Sequence, residues 1–184
     1  LSSVYSVRFG TLKTEYCLQA GRQQVIGFHL PGEILGLDGI GDGHYQSDAI
    51  ALEESDVCII RYEAFEDLAR QIPVLQNQFL SLGTMRAEER LAAFLLSLSQ
   101  RLAARGYLNN EFDLRMSRVD IGSYLGIQIE TVSRMLSRFA ESGLIQIKQR
   151  HIKLIDMNGL YELAGIPNPD RTTCVSADIP VKQG

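Results

Sequence analysis

Residues 130–154, ETVSRMLSRFAESGLIQIKQRHIKL, carry two periodicities back to back. Val132, Met135, Leu136 and Phe139 recur every three or four positions, which predicts a helix over Glu130–Ser142 with one buried face. From Leu144 onward apolar and polar residues alternate about Gln149-Arg150, as in two short antiparallel strands. Fixing the buried face of the helix fixes the opposite one, so Glu130, Ser133, Arg134, Ser137 and Arg138 point outward. Arginine can bond guanine through two atoms at once, glutamate can accept from the cytosine amino group, and serine can serve either base. Glu130, Ser133 and Arg134 are therefore the candidate base-reading residues.

Immediately upstream, SRVDIGSYLG (117–126) reads as a second helix. Ser117 has the spacing of a capping residue to Asp120, Ile121 and Leu125 share a side, and Gly126 supplies a tight turn. Gly122 is small where the two helices must touch. Two helices at this spacing, the second with a polar outer face, form a helix-turn-helix whose second helix enters the major groove. The hairpin that follows is a wing, bringing Lys148, Arg150 and Lys153 toward phosphates. Ser117, Gln128, Thr131 and Arg138 are further candidates for positioning on the backbone; Gln128 is a poor helix cap and is assigned to a phosphate instead. The competing reading is an ordinary helical hairpin with a solvated charged face. Cap, turn glycine, basic wing and local charge agree on DNA.

That local charge stands against the whole. The 184-residue chain is net −4, but residues 1–83 carry 5 Lys/Arg against 11 Asp/Glu, while residues 84–155 carry 11 against 7. An acidic front joined to a basic back implies two modules with different partners. The front half reads as strand, turn, strand up to Tyr62, with short alternating runs punctuated by Gly10, Ala20-Gly21 and Pro31-Gly32: an antiparallel sandwich or roll. FEDLARQ and VLQNQFLSL then read as helical, and Leu91, Phe94, Leu95, Leu98 and Leu102 mark one face of a longer helix, capped by Thr84 and ended by Gly106. After Ile155 a short helix, MNGLYELA, leads into a proline-bearing polar tail. No apolar run is long enough to span a membrane, and three scattered cysteines without C-x-x-C fit a reducing cytoplasm. The first residues already alternate like a strand, so an N-terminal segment is expected to precede Leu1.

GFHLPGEILGLDGIG, AEERLAAFL, DIGSYLG and ETVSRMLSRFAESGLI together resemble motifs of the CRP/FNR superfamily of bacterial transcription regulators, and more narrowly of its FNR branch, the oxygen-responsive fumarate and nitrate reduction regulators. The resemblance runs from Val4 to Ala164. It implies an α+β architecture: an N-terminal antiparallel β-roll of the cyclic-nucleotide-binding kind over 1–64, linking and dimerisation helices over 65–105, a winged helix-turn-helix over 106–164, and a flexible tail over 165–184. It also implies a homodimer on palindromic TTGAT-like sites in double-stranded DNA, contact with RNA polymerase, and no membrane.

Three departures accompany it. The branch holds a [4Fe–4S] cluster on four cysteines; Cys58 stands at the place of the fourth, and Cys17 and Cys174 match no ligand, so the chain's cysteines cannot complete the set. Either the others lie in a preceding segment, or this is a member without a cluster. From its strand pattern alone, Cys58 reads as a buried small hydrophobe. About four turns of dimer helix are missing between Leu82 and Thr84, where the pattern resumes. Third, Gln128 replaces the usual Thr.

Two rivals are weighed against this. A cyclic-nucleotide or constitutive regulator would share the roll, and Gly32-Glu33 is present, but no Arg or Lys lies between Asp38 and Arg61 to meet a phosphate. A cupin-type metalloenzyme would need clustered histidines; His29 and His44 lie fifteen apart without H-x-H, and His151 falls in the wing. No nucleophile elbow, P-loop or zincin motif occurs, and no enzyme is expected.

Overall fold

The structure, a computed structural model, describes residues 3–18, 22–39, 44–61 and 85–169. Strands β1 (Ser3–Phe9), β4 (Ile34–Leu35) and β6 (Asp56–Arg61) form one antiparallel sheet in the order β4-β1-β6. Strands β2 (Leu12–Cys17), β3 (Gln23–His29) and β5 (Ser47–Ala51) form a second in the order β3-β2-β5. Alternation puts Val7, Leu12 and Leu35 into a small core, with Tyr5 and Val57 packed beside them. In the β3-β2-β5 order β3 is an edge, with one row of backbone groups left over for another element.

Helix α1 (Ala87–Ala103) buries Leu91, Phe94, Leu95 and Leu98 as their spacing predicts, and half-buries Leu102. Its N-terminus differs from the sequence expectation. Thr84 lies outside the described residues, and Arg86 takes the N-cap position, where its amide donates to Glu89 Oε2 at 2.8 Å. The expected helices before it and the junction at 82–84 also lie outside the described residues, as does the tail from 170.

Helices α2 (Arg118–Leu125) and α3 (Ile129–Glu141) follow a short strand, β7 (Glu111–Asp113). The hairpin β8 (Ile145–Lys148) and β9 (His151–Leu154) comes next, then α4 (Met157–Ala164). The hairpin is three-stranded, because β7 adds to β9 in the order β7-β9-β8. One apolar core joins α1, α2, α3, the wing and α4, and it extends into the first module through Val25, Phe28 and Leu30. The rings of Phe28, Phe94 and Tyr124, from β3, α1 and α2, meet with centroids 5.2–5.9 Å apart. Among the described residues no helix is long and apolar enough to cross a membrane.

Candidate nucleic-acid interface

The helix-turn-helix is assembled as its sequence dictates. Ser117 Oγ accepts from the Asp120 amide at 3.1 Å, while Asp120 Oδ2 accepts from the Ser117 amide at 3.0 Å, so two free donors of α2 are satisfied reciprocally. The Ser117 hydroxyl also donates to Asp120 Oδ2 at 2.6 Å, so this candidate phosphate contact is held by the cap. Gly126 ends α2 in the left-handed conformation at φ 66°. Gly122 marks the close approach: a Cβ there would lie 2.6 Å from the Ile127 carbonyl oxygen and 3.6 Å from Val132 Cγ2.

Helix α3 begins one residue before the expected start and presents two unlike faces. Val132, Met135, Leu136 and Phe139 are at most 3% exposed, each contributing about 1.5–3 kcal/mol by burial, so the helix cannot rotate on its bed. Glu130, Arg134, Ser137 and Arg138 are exposed on the far side, and Ser133 and Thr131 are half-buried beside them. Gln128 sits exposed at the N-cap position with no cap made by its side chain. Arg134 donates to Thr131 Oγ1 at 3.2 Å, and its guanidinium has no carboxylate partner among the described residues. Arg138 does have one, since its guanidinium pairs with Glu88 of α1.

In the wing the structure separates residues that the sequence groups together. Lys148 and Arg150 are exposed at the hairpin tip, without an ion pair among the described residues. Lys153 and His151 are instead balanced by the added strand: register places Glu111 opposite Lys153 and Asp113 opposite His151, with contacts of 3.3 and 2.9 Å. Lys153 is therefore an ion-paired wing cation rather than a free one, the reason being the unforeseen strand β7. At the tip Gln149 has φ 58°, a left-handed conformation in a residue with a Cβ.

In the first module two expectations meet the structure directly. Cys58 is exposed on β6 rather than buried, and Ile59, on the opposite face of the strand, is also exposed, so neither face of β6 is covered there. Glu33 is bound by both Arg101 of α1 and Arg105 just beyond its C-terminus, with contacts of 2.5 and 2.7 Å, and accepts from the Leu30 amide. Burial works against its charged form, but Arg101, the Leu30 amide and Arg105 outweigh that and hold its pKa below the ordinary glutamate value. His29 contacts Thr14 at 3.2 Å, a satisfied strand histidine. Among the described residues no group of three or more His, Cys, Asp or Glu could hold a metal ion.

A winged helix-turn-helix with its outer face free for base edges, joined to an antiparallel roll, defines a DNA-binding transcription regulator. Residues 89–163 match the Crp-like helix-turn-helix domain, and residues 1–72 match the cyclic nucleotide-binding domain. Over 180 residues the chain is 52% identical to the transcriptional regulatory protein btr of Bordetella pertussis, covering 90% of this chain and 74% of that protein. It is 43% identical to the fumarate and nitrate reduction regulatory protein of Escherichia coli, covering 90% and 72%. Its fold superposes on FixK2 from Bradyrhizobium japonicum with TM-score 0.73 and 30% identity, covering 91% of this chain and 89% of that one. The chain belongs to the CRP/FNR family, whose members are transcription regulators rather than enzymes.

Proposed function

We propose that this regulator acts as a homodimer on palindromic, TTGAT-like sites, with Glu130, Ser133 and Arg134 reading bases. In this reading Gln128, Thr131, Arg138, Lys148 and Arg150 position the protein on phosphates, Ser117 contributes through the cap it shares with Asp120, and RNA polymerase is the second partner. Residues 1–64 are the sensor, 65–105 the linking and dimerisation helices, 106–164 the reading unit and 165–184 the tail. The observation that carries the reading is the outer face of α3: Glu130 and Arg134 are exposed there, and neither is in an ion pair with a described residue. Replacing Arg134 with Ala should cost roughly 1–3 kcal/mol on a cognate site and much less on random DNA. Equal losses on both would remove Arg134 from the reading set.

Control by an oxygen-labile [4Fe–4S] cluster is the finer part of the reading, and it comes from the motif resemblance. The residues described do not fit a complete cluster. Four thiolates are needed, the chain holds three cysteines, and the two described, Cys17 and Cys58, lie on different sheets. Cys58 is exposed and can supply one ligand. Iron and acid-labile sulfide per monomer of the full-length gene product, measured without oxygen beside Cys58→Ser, decide the point: near four of each in the wild type and loss in the variant support the cluster, and no iron in either supports a member without one. For such a member, responding to a small molecule such as a cyclic nucleotide or constitutively active, the engagement of Glu33 by two arginines argues against a nucleotide at Gly32-Glu33.

A further inference from the structure

Helix α2 has a second face that base reading does not use. Ile121, Gly122 and Leu125 turn toward α3 and the core, whereas Asp120, Ser123 and Tyr124, spaced i, i+3, i+4, turn toward the sensor sheet. On that side the spare backbone of edge strand β3 finds its partner: the Val25 amide donates to Ser123 Oγ at 3.0 Å, and the Gln24 side chain donates to the Ser123 carbonyl. Lys13 of β2 reaches Asp120 Oδ1 at 2.6 Å in an ion pair whose side chains are 15% and 12% exposed. A second carboxylate, Glu15, shares the same ammonium, and its Oε2 is buried with no hydrogen-bond partner. Two carboxylates around one ammonium make a polar contact far more dependent on geometry than an apolar patch of equal area.

This contact has mechanical leverage. The turn after α2 is packed against Gly122 and tied to it by the Ile127 amide, and α2 and α3 share one buried apolar core, so the recognition helix moves with α2 as one body. Whatever fixes α2 to the sensor sheet therefore fixes where the reading face points. We infer that Lys13, Asp120 and Ser123 are positioning residues for DNA recognition: they dock the reading unit on the sensor sheet and thereby set the separation of the two recognition helices in a dimer. The inference rests on the proposed two-fold site. Half-sites lie one helical turn of about 10–10.5 base pairs apart, so inserting a single base pair shifts one half-site by roughly 3.4 Å and rotates it by about 34°. A docked reading unit cannot follow such a displacement, and a released one can.

The test uses the full chain, with Lys13→Met and Ser123→Ala each compared with wild type on three duplexes: a single half-site, the two-fold site, and the two-fold site with one inserted base pair. Ser123→Ala removes the hydroxyl that caps the β3 edge without stranding a buried charge, so it covers the case in which Lys13→Met fails to fold. In Lys13→Met, which leaves the Ser123 hydroxyl in place, hydrogen exchange at the Val25 amide reports the dock itself. Wild type should lose at least about tenfold in affinity on the inserted site, a factor of ten being about 1.4 kcal/mol. The variants should exchange Val25 at least about tenfold faster, bind the single half-site like wild type, and lose less than about threefold on insertion. Faster exchange at Val25 in Lys13→Met with the wild-type insertion penalty intact would overturn the positioning role. A wild type that binds the single half-site but is indifferent to insertion would instead overturn the two-fold reading, and the inference with it, a result seen without any variant.

Discussion

Gly122→Ala tests the helix-turn-helix geometry where it is tightest. Two opposing effects can be sized. The Gly122 backbone is helical, with no positive φ, so alanine should gain about 0.8–1.0 kcal/mol of helix propensity. Against this, its methyl would lie 2.6 Å from the Ile127 carbonyl oxygen, inside any distance that real Cβ contacts adopt. That carbonyl cannot simply swing away, because the Ile127 amide donates to the Gly122 carbonyl at 2.8 Å and ties the turn to the substituted residue. Overpacking of this kind costs about 1–3 kcal/mol. The clash should win, leaving a net loss of up to roughly 2 kcal/mol and a Tm lower by up to about 8 °C for a chain of this size.

Urea unfolding with the m-value held constant is the assay, since a shift in midpoint at fixed m isolates stability. A midpoint above wild type would refute the close approach of the turn carbonyl to Gly122. Combining the change with Val132→Ala identifies the obstacle. Val132 Cγ2 would be only in ordinary contact at 3.6 Å, so the second substitution should add its own loss of about 2 kcal/mol rather than restore stability. Rescue would show that the side chain, and not the turn carbonyl, is what glycine avoids.

Three further outcomes are expected. Lys148→Ala should weaken binding to all sequences about equally and lower the slope of log affinity against log salt by about one unit, as the loss of one phosphate contact requires; a loss confined to the cognate site would move Lys148 into the reading set. Gln149→Gly should stabilise the wing by up to about 1 kcal/mol, because the left-handed conformation at φ 58° penalises a Cβ; a lower urea midpoint would refute that account. Stability should decline in two stages below neutrality. Burial holds His29 below its ordinary pKa, so the stability it contributes above about 6.5 is lost as pH falls through its folded value; Asp120 and Glu33, depressed by their cationic and amide partners despite burial, follow below about pH 4. His29→Gln should flatten the first stage in urea midpoints measured across pH, and a wild-type midpoint that rises between pH 7 and 5.5 would contradict the assignment.

Residues that interact within one turn of helix or across one hairpin were the ones the sequence could disclose. Ser117 and Asp120 stand three apart, Val132 and Phe139 seven apart, and Gln149-Arg150 is the loop of a hairpin, so cap, buried face and wing all follow from spacing. Partners supplied from elsewhere in the chain were not legible. Lys153 looks like a free wing cation until β7 brings Glu111 opposite it from 42 positions away. The exposure of Cys58 depends on what covers the two faces of β6, which alternation does not encode. Asp120 shows the limit most clearly, because it has two duties. As the third residue of α2 it completes the capping box, and that duty accounts fully for an acid at its position. Its other oxygen meets Lys13, 107 residues earlier, and burial opposes the charge of both groups while their hydrogen bond restores it, raising the pKa of Lys13 and lowering that of Asp120. One duty conceals the other in sequence. The two separate by experiment: Asp120→Asn keeps an oxygen for the Ser117 amide but loses the charge facing Lys13, so it should retain α2 while speeding exchange at the Val25 amide. Melting of α2 in that variant would mean that the cap, and not the dock, is what requires the carboxylate.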